Sequence, residues 1–158
     1  MKNLLILLLL LLLVGCSTYS KNKGVRYLDD APNLLLSVAP TFKNPYEIEL
    51  RNHKLKCYIY SGMGGYSWGS RSKAFEGDLD KLQIEEVKQL AANAVIDAPL
   101  YEDLVFLDGT NWYLQFYFGQ YRVITANSPE ADSTNRGYSS LVDLGKVLRD
   151  FCGFGSST

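Results

Sequence analysis

Tyr46-Glu47-Ile48-Glu49-Leu50-Arg51-Asn52-His53-Lys54-Leu55-Lys56-Cys57-Tyr58-Ile59-Tyr60 alternates apolar and polar residues on both sides of Asn52-His53. A two-residue turn at that dipeptide pairs Leu50 with Leu55, Ile48 with Cys57 and Tyr46 with Ile59 on one face. The same register sets Arg51 beside Lys54, Glu49 opposite Lys56 and Glu47 opposite Tyr58 on the other. A single pairing thus gives an apolar side, a polar side and a cross-strand ion pair. The segment is therefore read as a β-hairpin, although Asn-His is a weaker turn pair than Asn-Gly.

Outward from the hairpin, a Gly-rich stretch from Gly62 to Gly69 leads to a third strand near Ser72 to Asp78. At about Asp80 the period changes. Ile84, Val87, Leu90, Ala91, Ala94 and Val95 recur at helical spacing, with Glu85, Glu86, Lys88 and Gln89 largely opposite, which predicts an amphipathic helix ending before Pro99. The second half follows the same plan, with a short strand near Leu104 to Leu107, an Asp108-Gly109 turn, and strands over Trp112 to Phe118 and Tyr121 to Ala126 joined at Gly119-Gln120. Alternation puts Trp112, Leu114, Phe116 and Phe118 on one face, continued by Tyr121, Val123 and Thr125. It puts Tyr113, Gln115, Tyr117, Arg122 and Ile124 on the other. After a polar loop from Asn127 to Gly137, a last helix starts at Ser139 or Ser140 as N-cap. Its apolar stripe is Leu141, Leu144, Leu148, Phe151 and Cys152, and Gly153 ends it.

The expected architecture is α+β: a mostly antiparallel sheet of about five to six strands with two helices packed on one face. Each half reads strand, strand, strand, helix, which leaves an internal repeat open, without residue identity to support it.

The chain opens with Lys2 and an unbroken apolar run from Leu4 to Val14, too short for the roughly 20 residues a transmembrane helix needs. That pattern reads as a signal peptide. The run ends in Leu13-Val14-Gly15-Cys16, which resembles the lipobox of bacterial lipoproteins, over the first 16 residues only. The resemblance implies cleavage before Cys16, lipidation of its thiol and anchoring by acyl chains, each buried methylene contributing about 0.8 kcal/mol. In that class an Asp after the cysteine goes with inner-membrane retention; Ser17 stands there, which implies an outer-membrane destination facing the periplasm. The domain plan is then a signal peptide over 1–15, a lipidated flexible tether over 16–30, polar from Ser17 to Asp30, and one α+β domain over 31–158.

Composition narrows the function. The formal net charge is −1 and no Lys/Arg cluster is present, so the sequence carries no electrostatic footprint for nucleic acid. One histidine, His53, and no spaced Cys or carboxylate set speak against zinc. Glu76, Asp78 and Asp80 crowd one segment but lack calcium-loop spacing, and a helix start explains them. No cofactor motif is present.

Gly65-Tyr66-Ser67-Trp68-Gly69 matches the G-x-S-x-G elbow of serine hydrolases. An elbow needs a helix directly after the serine, whereas Ser70 to Asp78 reads as loop and strand, and His53 precedes the serine against the family order. Ser67 is therefore not expected to be a nucleophile.

Cys57 and Cys152 both fall on core faces. In an exported domain they form a disulfide or pack as two buried thiols; both readings fit the pattern. Tyr113, Gln115, Tyr117 and Arg122 form a surface rich in residue types enriched at binding hot spots, with Tyr58 and Tyr60 as an extension. The plainer alternative is a solvated face, or one covered by Tyr27 to Pro40.

The leading expectation is a non-enzymatic envelope lipoprotein, held to the membrane through lipid on Cys16 and binding a protein or glycan partner through the open sheet face or the Gly62 to Gly69 loop. Set against it are an immunity or inhibitor lipoprotein directed at an exported toxin, a small hydrolase using Ser67, and a structural spacer.

Overall fold

A computed structural model describes residues 33–62, 68–100 and 109–154. The hairpin that decides the fold forms with the expected register. Strands β2 (Tyr46–Arg51) and β3 (Lys54–Tyr60) pair Leu50 with Leu55, Ile48 with Cys57, Tyr46 with Ile59 and Glu49 with Lys56. Asn52 takes the positive φ of 57° that so tight a turn demands, a conformation Asn tolerates better than most residues.

Strand β1 (Leu34–Pro40) and strand β4 (Arg71–Asp78) complete the first half, and strands β5 (Thr110–Tyr117) and β6 (Tyr121–Asn127) form the second. All six lie in one sheet of order β4-β3-β2-β1-β5-β6, every neighbouring pair antiparallel. Helix α1 (Lys81–Asp97) and helix α2 (Ser139–Phe151) complete the α+β architecture. The second half's strand expected near Leu104 to Leu107, the tether, Cys16 and Ser67 all lie outside the described residues.

The core sits between the helices and one sheet face. Leu34, Leu36, Val38, Ile48, Leu50, Leu55, Cys57, Trp112, Leu114 and Phe116 point to it from the strands, and Val87, Ala91, Ala94, Leu141, Leu144 and Leu148 from the helices. The bridge between Cys57 and Cys152, with Cα atoms 6.0 Å apart, ties β3 to the end of α2. Asp80 caps α1 through a reciprocal pair with Gln83, each side chain accepting from the other residue's backbone N–H.

The structure corrects three expectations. The Leu34–Pro40 part of the Tyr27 to Pro40 segment does not cover the sheet, because it is β1, hydrogen-bonded on both sides between β2 and β5; residues 27–32 lie outside the described residues. Neither Ser139 nor Ser140 caps α2. The cap residue is Tyr138, while the Ser140 hydroxyl donates to the Asp97 carboxylate at the end of α1 and so joins the two helices. The third correction concerns β6. Tyr117 pairs with Tyr121, so the connection is three residues, Phe118-Gly119-Gln120, with Gly119 at φ 85°. One residue more than a two-residue turn reverses every side chain of the following strand. Ile124 and Ala126 therefore lie beside Leu114 and Trp112 on the helix side, and Tyr121, Val123 and Thr125 lie on the other.

Gly145 of α2 rests on the Trp112 ring, whose Nε1 donates to Glu130 over 3.0 Å. A Cβ at position 145 would fall well inside van der Waals contact with Cζ3 and Cη2 of that ring. Gly145→Ala should therefore destabilise by about 1 to 3 kcal/mol, seen as a lower denaturant midpoint at unchanged slope.

Candidate functional site: the sheet face away from the helices

Side chains that alternate with the core residues build the opposite face. Ser37 lies between Glu47 and Tyr113, and Leu35 between Glu49 and Gln115. On one flank the face carries Lys56, Tyr58, Tyr60, Arg71, Lys73 and Glu76; on the other it carries Tyr117, Tyr121, Val123 and Thr125.

The first flank satisfies itself. The Arg71 guanidinium lies 3.5 Å from the Tyr58 ring centre, 3.2 Å from the Glu47 carboxylate, and bonded to Glu49. Glu47 also accepts from the Tyr60 hydroxyl and, over 3.2 Å, from Ser37. Burial, and then the hydrogen bond to Glu47 and that carboxylate's charge, push the Tyr60 phenol up to about 12. Tyr46, on the core side, is also pushed up to about 12, by burial first.

The folded state thus favours the neutral phenol over the unfolded chain, whose tyrosines titrate near ~10. The stabilisation is complete below pH ~10 and is lost as pH rises through about 12. Titration followed by phenolate absorbance should show late-titrating tyrosines, one of which disappears in Tyr60→Phe.

The second flank is more open. Tyr117, Val123 and Tyr121 are 38%, 43% and 50% exposed. The Tyr113 hydroxyl donates to Gln115 over 3.0 Å, and burial raises its pKa, with Tyr121 adding to the effect. Of the expected surface set, the fold brings Tyr113, Gln115 and Tyr117 together. Arg122 does not join them: it pairs with Phe116 on the helix side and bonds to Gln120 and to the Tyr121 carbonyl. Tyr121, Val123 and Thr125 take its place. Tyr58 and Tyr60 extend the face in position but are held within the ionic flank.

A cleft of about 650 Å³ lies at one end of the sheet, bounded by Val38, Tyr46, Ile59, Glu130, Arg149 and Phe154. The rings of Tyr46 and Phe154 meet edge to face across 5.7 Å.

Of the residues weighed for other chemistry, His53 is exposed at the hairpin turn, its Nε2 3.8 Å from Asp78. Glu76 is engaged by Lys54, Lys56 and Lys73, and Asp80 by the α1 cap. Among the described residues no group of three His, Cys, Asp or Glu side chains is placed to hold a metal ion. Trp68 stacks edge-on with Tyr60, and β4 begins at Arg71, where a hydrolase elbow has its helix. The chain matches no protein-family model and no curated protein.

Proposed function

We propose that this chain is a lipid-anchored, non-enzymatic domain of the bacterial cell envelope that binds a protein or glycan partner through the β5–β6 half of its helix-free sheet face. The observation that carries this reading is the exposed set Tyr117, Tyr121 and Val123 beside Tyr113 and Gln115. Tyrosines give large, rigid contact area with a polar tip and little side-chain entropy to lose. The neighbouring ionic flank is already paired within itself, so it adds a polar border. Two further features support the setting: the apolar run ending in Gly15-Cys16, and a Cys57–Cys152 bridge of the kind that persists in oxidising compartments. Among the described residues no helix is long and apolar enough to cross a membrane.

Metabolic labelling with a fatty-acid analogue tests the anchor. The parent chain should take up label and Cys16→Ala should not; equal labelling of both would remove the anchor from the proposal.

A further inference from the structure

Among the described strands, the two edges of the sheet differ. Edge strand β4 carries Arg71, Lys73, Glu76 and Asp78, and its register shifts between Cys57 and Tyr58 on β3. Charges and bulges of that kind keep a sheet edge from pairing with another chain. Edge strand β6, Tyr-Arg-Val-Ile-Thr-Ala-Asn, has one charged residue, no proline and an unbroken register.

The alternation of hydrogen bonds shows which of its backbone groups face outward. Ser128 N–H donates to the Thr110 carbonyl, and Tyr117 N–H to the Asn33 carbonyl. Residues 122, 124 and 126 therefore bond to β5, and residues 121, 123 and 125 turn their N–H and C=O groups away from the sheet. The Tyr121 carbonyl accepts from Arg122 Nη1 over 3.1 Å and keeps a second lone pair. At the far end, Arg136 Nη2 occupies the Asn127 carbonyl over 2.8 Å.

We infer that β6 pairs antiparallel with β6 of a second copy of this chain, about a two-fold axis at Val123. In that register Val123 faces Val123, Tyr121 faces Thr125, and Arg122 faces Ile124, so the outward groups of 121, 123 and 125 find partners in one another. Competing registers meet obstacles. Centring on Arg122 opposes two guanidinium groups, and centring on Ile124 or Thr125 draws Asn127, whose carbonyl already carries the Arg136 guanidinium, into the seam. A second copy is thus the strand that fits, by symmetry and charge, whereas β4 of another copy would bring Arg71 and Lys73 toward Arg122. The inference uses the backbone edge of β6, whereas the proposed partner-binding face uses side chains of the same strand, so it is read from dimer formation and not from partner binding.

Cysteine cross-linking of the full-length chain in membranes tests it. Paired residues at the axis lie with Cα atoms roughly 5.5 Å apart, within disulfide reach. Residue 125 of each copy would be offset by four positions, roughly 14 Å. Oxidation should convert Val123→Cys to a covalent dimer, and leave Thr125→Cys and the parent chain monomeric on a non-reducing gel. No dimer from Val123→Cys, or equal dimer from Thr125→Cys, would overturn the inference. Sedimentation of the full chain in detergent gives a second reading. Val123→Pro removes an outward N–H and none of the bonds to β5, as edge strands tolerate, so it should abolish concentration-dependent dimerisation while the melting temperature stays near the parent's; a dimer that survives this change would also overturn it.

Discussion

Replacing Cys57 and Cys152 together by alanine should lower the free energy of unfolding by about 4 to 5 kcal/mol. The bridge spans a sequence separation of 95 residues, so its loss returns a large share of conformational freedom to the unfolded chain. Both cysteines are buried, and the bond joins the sheet to the end of α2, so no other covalent link among the described residues takes over. Chemical denaturation of the double variant, beside the parent under oxidising and reducing conditions, measures the effect. Reduced parent and double variant should agree. A loss below about 1 kcal/mol would mean that packing alone holds α2 against β3.

Phe116 and Tyr117 are neighbours with opposite roles. Phe116→Ala should cost about 3 to 5 kcal/mol, because the ring is buried against the helices beside Leu34 and leaves a cavity that rigid neighbours cannot fill. Tyr117→Ala, on the exposed face, should leave stability within about 0.5 kcal/mol of the parent. If the open face binds a partner, Tyr117→Ala should cost about 2 kcal/mol of affinity, roughly thirtyfold, at an almost unchanged melting temperature. Equal destabilisation by both changes, in denaturant midpoints, would show that the second face is also packed.

The β2–β3 hairpin was legible because hydrophobic pattern and charge pattern asked for the same register. The helices were legible for a similar reason: Val87, Ala91 and Ala94, and Leu141, Leu144 and Leu148, recur at helical spacing and all reach the core. β1 was not. Leu34-Leu35-Leu36 hides its alternation, because Leu35 on the helix-free face is as apolar as its core-facing neighbours, and Leu gives little β preference.

The candidate face was half legible. Tyr113, Gln115 and Tyr117 follow from alternation within one strand, which no turn can alter. Arg122 depended on the length of the connection at Gly119, and reading two residues where the chain uses three placed it on the wrong side. The chemistry of a loop can mark that a hairpin exists without fixing its register, unless the following strand has a clear apolar face. β6 does not: Val123 and Ile124 are both apolar, and being an edge strand leaves both partly open.

The most direct test of a sheet with one face for folding and one for binding is site-specific photo-crosslinking in the bacterial host. A photoreactive phenylalanine analogue would be placed at position 117 on the open face, and in parallel at position 146 on the exposed side of α2. Adducts other than the chain's own dimer should form from position 117 and not from position 146. Adducts from 146 alone, or none from 117, would contradict the assignment of the tyrosine-bearing face as the binding surface.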